Sequence, residues 1–315
     1  MRYVRTVLLG LASVALLMPA DAPAQALTVS GGVDLRALFP EGYERALVLQ
    51  GLFLNARRVF RDDLGDRWIV VAQGDADSNF TEVRPYQLYL QYKGPLGRWN
   101  VRAGHYVVPF GLLAEYDTER FVLDAVEEEN IGLKLDTGIE ALGYAGAWDW
   151  ATSVSAGAGR RWPSEGEGTY LLTARAGRGS DEWKMGYSVL LGTVRTGDGF
   201  HDPGATVRER KMALDLTHLG GRWTARAEVS PGTEDGRWVA SAVALPSFAV
   251  RSRLDIDGRY ALAARSETRH ELGIGATFRA GRGWVVRPAA TVELAPDGTT
   301  HEFIAQLYYD FSKSY

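Results

Sequence analysis

From Leu27 onward, apolar residues fall on every second position in one segment after another. Leu27, Val29, Gly31, Val33, Leu35 and Ala37 alternate with Thr28, Ser30, Gly32, Asp34 and Arg36. Met212, Leu214 and Leu216 alternate with Lys211, Asp215 and Thr217, and Trp223, Ala225, Ala227 and Val229 with Thr224, Arg226 and Glu228. Side chains of a strand point alternately to its two faces, so each segment carries one apolar and one polar face. A water-soluble sandwich has no need of an apolar outer face on every strand. A barrel that meets lipid outside and water inside needs that pattern throughout. No helical period competes, and beyond the first 26 residues no apolar run approaches the ~18 residues of a spanning helix. The expected fold is all-β, a transmembrane antiparallel barrel over residues 27–315.

Residues 1–26 read differently. Arg2 and Arg5 precede an apolar stretch from Val7 to Ala20, and Ala22-Pro23-Ala24-Gln25-Ala26 supplies small residues before Leu27. That is the pattern of a cleaved secretory leader. The chain has no cysteine, so thiolate chemistry and disulfide staples are excluded. A closed sheet draws its stability from hydrogen bonds instead. The formal charge of −4 gives no general attraction to nucleic acid.

Periodicity divides the chain into about sixteen strands, within a range of fourteen to eighteen. They start near residues 27, 44, 67, 82, 98, 131, 148, 168, 183, 207, 221, 236, 247, 269, 284 and 302. Short turns rich in glycine and proline are expected at one end: Gly94-Pro95-Leu96-Gly97, Gly146-Ala147, Gly220-Gly221 and Gly281-Arg282-Gly283. Longer connections fall at the other: Asp75 to Thr81, Pro109 to Asn130, Gly159 to Gly166, Arg195 to Ala205 and Gly258 to Thr268. Trp68, Trp99, Trp148, Trp183, Trp223 and Trp284 each follow a short turn closely. Trp favours the headgroup level of a bilayer, so six at one end predict an interfacial girdle.

Two stretches carry a resemblance. Phe303, Ala305, Leu307, Tyr309 and Phe311, followed by terminal Tyr315, resemble the last strand of bacterial outer-membrane proteins, which the barrel-assembly machinery reads. Tyr stands where Phe is usual, and Lys313 where an apolar residue is common. Gly104-His105-Tyr106-Val107-Val108-Pro109-Phe110-Gly111-Leu112 resembles the Gly-Arg-x-x-x-Pro-Phe-Gly-Leu stretch of phosphate-selective-type porins and their relatives, with His105 in place of Arg. The resemblance implies a third outer loop, about residues 109–130, that folds inward and narrows a pore. It makes Glu115, Asp117, Glu119 and Asp124 constriction candidates.

The inward phase of later strands offers Arg175, Arg226, Arg251, Arg253, Arg279 and Arg287 as a facing basic wall. An acidic loop opposite such a wall would set a transverse field that sorts solutes in a narrow lumen. The blander alternative pairs these arginines with wall acids such as Glu228, Asp255 and Glu293. Inward lysines are few, so phosphate selectivity is not carried over. Glu127-Glu128-Glu129 reads as a solvated loop tip. The five histidines are scattered without metal-ligand spacing, and no nucleophile elbow or phosphate loop is present.

The leading expectation is a general diffusion porin of the outer membrane. It would need no cofactor, would sit among lipid and lipopolysaccharide, and by resemblance would form a homotrimer. Two alternatives stay open: a structural barrel sheathing a partner such as a cytochrome or secreted polypeptide, and an outer-membrane enzyme or adhesin.

Overall fold

The computed structural model describes residues 26–40, 46–63, 65–76, 83–114, 134–161, 168–196 and 205–315. The first eight strands are Ala26–Pro40 (β1), Ala46–Asp62 (β2), Gly65–Ala76 (β3), Val83–Lys93 (β4), Trp99–Val107 (β5), Leu135–Ala145 (β6), Trp148–Ser155 (β7) and Tyr170–Gly179 (β8). The other eight are Trp183–Arg195 (β9), Thr206–Gly220 (β10), Trp223–Glu234 (β11), Arg237–Arg251 (β12), Leu254–Ala264 (β13), Thr268–Gly281 (β14), Trp284–Ala295 (β15) and Gly298–Ser314 (β16).

Each strand pairs with its sequence neighbours, and β1 pairs antiparallel with β16 to close the barrel. The seam runs from Thr28 opposite Ser314 to Pro40 opposite Glu302. At its end the Leu27 and Tyr315 amides exchange hydrogen bonds of 3.3 and 2.8 Å. Closure leaves no unpaired edge, as a sheet in hydrocarbon requires.

The two faces follow the sequence pattern. On β10, Met212, Leu214 and Leu216 are exposed on the outside, while Glu209, Lys211, Asp215 and Thr217 are buried in the interior. The six turn-proximal tryptophans are all exposed outside at one end, and five of them pack on a ring of an adjacent strand, Trp183 on the His218 imidazole at 4.2 Å. Trp68 meets Tyr92 at 4.9 Å between centroids, Tyr92 meets Trp99 at 5.5 Å, Trp223 meets Phe248 at 4.6 Å and Trp284 meets Tyr309 at 4.7 Å. These rings form the expected girdle.

The strand count agrees with the periodicity; two local expectations do not. The segment assigned to a strand from residue 247 is divided: β12 ends at Arg251, Ser252-Arg253 turn, and β13 begins at Leu254. Also, Gly258 to Thr268 is not a long connection, because β13 extends to Ala264 and only residues 265–267 join it to β14. Long outer connections are therefore confined, among the described residues, to the first ten strands. Beyond them the outer turns are tight, as at Asp235-Gly236, where φ is 48° and 80°. Positive φ at both central residues is the hairpin geometry that an Asp-Gly pair favours.

Candidate functional site

The third outer loop leaves β5 and turns into the barrel. Val108 donates to the Lys134 carbonyl at 2.9 Å, and Gly111 adopts φ 53° at the start of a single 3₁₀ turn, Gly111–Ala114. The Gly111 amide donates to Ser188 Oγ on β9 at 3.0 Å, and the Leu112 amide to Glu228 Oε2 on β11 at 2.6 Å. Both acceptors face the lumen. Ser230 Oγ donates to the other Glu228 oxygen at 2.7 Å and fixes the carboxylate. A Cβ on Gly111 would collide with that carboxylate, so glycine serves here both for its φ and for its lack of bulk.

Val108, Phe110 and Leu112 are fully buried. They pack with Leu171 of β8, Leu190 and Val194 of β9, Ala213 of β10, and Val243 and Leu245 of β12. These wall residues sit at interior positions where a water-filled barrel would carry polar side chains. That break in the polar-inward rule is the signal that marks the docking wall, and sequence reading of the loop alone does not use it.

The glycine that opens the porin-like stretch has its own reason. Gly104 has φ 132°, and a Cβ there would meet the Leu88 carbonyl and lie 2.7 Å from Tyr89 Cα on β4. Substituting Gly104→Ala should cost about 1–3 kcal/mol in strain, read as a lower thermal midpoint of the folded barrel. Next to it, His105 Nδ1 and Thr137 Oγ1 share a hydrogen bond of 2.9 Å.

Glu115, Asp117, Glu119 and Asp124 lie outside the described residues. Of the expected basic wall, Arg175, Arg226, Arg279 and Arg287 are on interior positions. Arg175 bridges Asp149 at 3.1 Å and Asp215 at 2.9 Å. Arg279 pairs with Asp255 at 2.5 Å. Arg287 donates to Gln306 Oε1 at 2.7 Å, and Gln306 in turn donates to Asp34 at 2.8 Å. Arg251 and Arg253 are corrected: both are exposed at the hairpin end, Arg251 closing β12 and Arg253 within the turn, so neither is placed on the pore wall.

The wall also holds Arg102 and Arg259, which the sequence reading left out, and Lys211, one of its few inward lysines. Arg102 pairs with Glu140 at 2.5 Å and lies over the Tyr89 and Tyr106 rings, Lys211 pairs with Glu234 at 2.8 Å, and Arg259 with Glu271. Of the acids named as arginine partners, Asp255 and Glu293 (3.7 Å from Arg269) are ion-paired, while Glu228 anchors the loop. Among the described residues the interior is thus a mosaic of cross-strand ion pairs with two apolar clusters; the loop covers the larger, and the other, Val59, Ile69 and Val71, lies between β2 and β3.

The sequence matches no protein-family model and no curated protein. Solved structures do match. A loop-deletion variant of the Vibrio cholerae outer membrane protein OmpT superposes with a TM-score of 0.72 at 10% identity, over 92% of this chain and 100% of that one. The barrel is porin-like. An anion-selective porin from Comamonas acidovorans gives 0.69 at 10% identity, covering 91% of this chain and 100% of the porin. The outer membrane channel DcaP of Acinetobacter baumannii gives 0.65 at 12% identity, covering 93% and 99%. This porin-like barrel is therefore of the outer-membrane type, with hairpin turns and Trp girdle at one end and the long loops at the other.

Proposed function

We propose that this chain is an outer-membrane porin passing small hydrophilic solutes or ions by passive diffusion through a water-filled lumen narrowed by its third loop. The observation that carries the reading is the loop docked inside the barrel by Phe110, Leu112, Ser188 and Glu228. A loop held there narrows the conduit, and a charged wall opposite it acts strongly on ions because low-dielectric walls concentrate the field. In this reading Glu115, Asp117, Glu119 and Asp124 supply the acidic side of the constriction and Arg175, Arg226, Arg279 and Arg287 its basic side. The descriptions of the Comamonas porin and of DcaP as an anion-selective porin and a channel favour the same class. A sheath for a threaded polypeptide would need the space that the loop occupies. Export through a leader of residues 1–26, insertion by the barrel-assembly machinery and contact with lipopolysaccharide belong to the proposal. So does a homotrimer, which OmpT is described as forming.

The test is single-channel conductance of refolded protein in a planar bilayer, with the reversal potential under a salt gradient. Stepwise ohmic openings are expected. A folded barrel without conductance would remove the diffusion reading.

A further inference from the structure

On β10 the lipid-facing phase changes character part-way along the strand. Nearer the Trp girdle it carries Met212, Leu214 and Leu216. Toward the outer loops the same phase continues with Arg208 and Arg210, and both are exposed. Among the described residues no other strand carries two basic side chains on its lipid-facing phase in its outer half. The girdle fixes their level. His218 pairs with Trp183 of the girdle and lies eight residues from Arg210. That is about 26 Å of strand at ~3.3 Å per residue, or roughly 20 Å of height at the ~40° tilt of such barrels. The apolar band of an outer-membrane barrel is about 25 Å tall, so Arg210 sits near its outer edge and Arg208 above it.

The neighbouring strands complete this surface. In one row across the sheet Tyr170 stands opposite Thr193, and Thr193 opposite Arg208. In the next row Leu172, Leu191, Arg210, Thr233 and Trp238 follow one another from β8 to β12. Tyr170 and Trp238 are exposed, each two strands from an arginine, about 10 Å between backbones at ~4.8 Å per strand. Such rings favour the headgroup level of a bilayer. Leu172, Val189, Leu191 and Met212 are exposed on the apolar side of the arginines. The acids of this region are placed elsewhere. Glu209 and Glu234 lie on the lumen face with Lys211 between them. Asp235, in the adjoining turn, accepts from the Arg208 amide at 2.9 Å and holds the backbone there. The two rows thus carry two guanidiniums and no carboxylate.

We propose that this face is a binding site for a phosphorylated glycolipid of the outer leaflet. Arginine on the lipid face is tolerated near the edge of the band, where its head reaches the headgroups. Arg208 and Arg210, two residues apart on one face, present a pair of planar forks to phosphate. The sugar lies between the rings of Tyr170 and Trp238, with the Thr193 and Thr233 hydroxyls as polar partners. The acyl chains run over Leu172, Val189, Leu191 and Met212. A glycerophospholipid without a sugar leaves the aromatic and hydroxyl positions unused, and a free phosphate has no chains to bury. The site deepens the glycolipid contact proposed above and rests on the outer-membrane placement of the barrel, but not on conduction.

The experiment titrates the folded, detergent-solubilised barrel with lipid A and counts bound lipid by native mass spectrometry. Phosphatidylglycerol and inorganic phosphate are the comparison probes. Lipid A should bind about ten-fold or more tighter than phosphatidylglycerol, the factor that one charge-assisted contact supplies. Inorganic phosphate at equal concentration should not displace it. The double variant Arg208→Gln/Arg210→Gln should lose that preference while keeping heat-modifiable gel mobility. Its conductance in plain salt should match the parent's, because both side chains lie outside the lumen. Arg178→Gln removes an exposed cation that lies over Trp148 at the opposite end of the barrel, and should bind lipid A as the parent does. Equal binding of phosphatidylglycerol, displacement by inorganic phosphate, or undiminished binding in the double variant would overturn the assignment. If the barrel binds lipid A through these arginines but conducts nothing, the channel reading fails and the site stands. If it conducts but does not retain lipid A, the site alone fails.

Discussion

Replacing Phe110 by Asp should release the third loop from the wall and raise single-channel conductance, with a noisier open level. Phe110 is fully buried against side chains of four strands. Truncating a buried Phe costs about 3–5 kcal/mol, and a charge buried there without a partner adds to that. A shift of ~5.5 kcal/mol takes a two-state equilibrium from 99:1 to 1:99, so the docked loop becomes the minor state. The two amide bonds to Ser188 and Glu228 contribute roughly 1–3 kcal/mol each, and they cannot hold a turn whose apolar anchor is expelled. The sheet does not depend on the loop, so strand content by circular dichroism should stay at the parent level. Phe110→Leu keeps an apolar anchor and should conduct nearly as the parent does. If Phe110→Asp folds and its conductance equals the parent's, the docked loop does not set the width of the conduit.

How far the sequence reaches is clear from particular residues. Period-two alternation carried the strand count because every strand meets lipid on one side and the lumen on the other, so one physical constraint repeats along the whole chain. It failed at residues 247–256. Phe248 and Ile256 lie opposite each other on β12 and β13 and are an even number of positions apart. One straight strand would give them the same phase, so alternation cannot tell a strand from a hairpin with a bulge between Ala249 and Arg251. The turn there is Ser252-Arg253, without the glycine or proline that would have announced it. The misplacement of Arg251 and Arg253 follows from that one error. Arg175, Arg226, Arg279 and Arg287 were legible because their strands are bounded by clear turns. The docking wall was legible in principle, since Leu171, Leu190, Val194 and Leu245 break the polar-inward phase. Recognising what they bind takes the fold, because they come from three strands and meet a loop more than fifty residues away in sequence.

The second large effect concerns the barrel itself. Arg175 on β8 reaches Asp149 on β7 and Asp215 on β10, spanning β9 in between. It can do so because the β9 residue paired with Asp215 is Gly186, where a Cβ would run into both the guanidinium and the Asp215 carboxylate. The side chains of Arg175 and Asp215 are 4% and 2% exposed. Arg175→Met therefore leaves a buried carboxylate without its cation, and breaking a buried pair from one side costs about 3–5 kcal/mol. The expected readout is a clear fall in the temperature at which the folded band converts to the unfolded one in gel electrophoresis. Arg175→Lys should recover only part of the loss, since one ammonium cannot serve two carboxylates as the guanidinium fork does. The double variant Arg175→Met/Asp215→Asn should recover most of it, because the unpaired charge is gone. Equal loss in the single and double variants would mean that Arg175 acts through its packing along the wall and not through the ion pair. In that case the cross-strand mosaic would set the electrostatics of the lumen without contributing to the stability of the barrel.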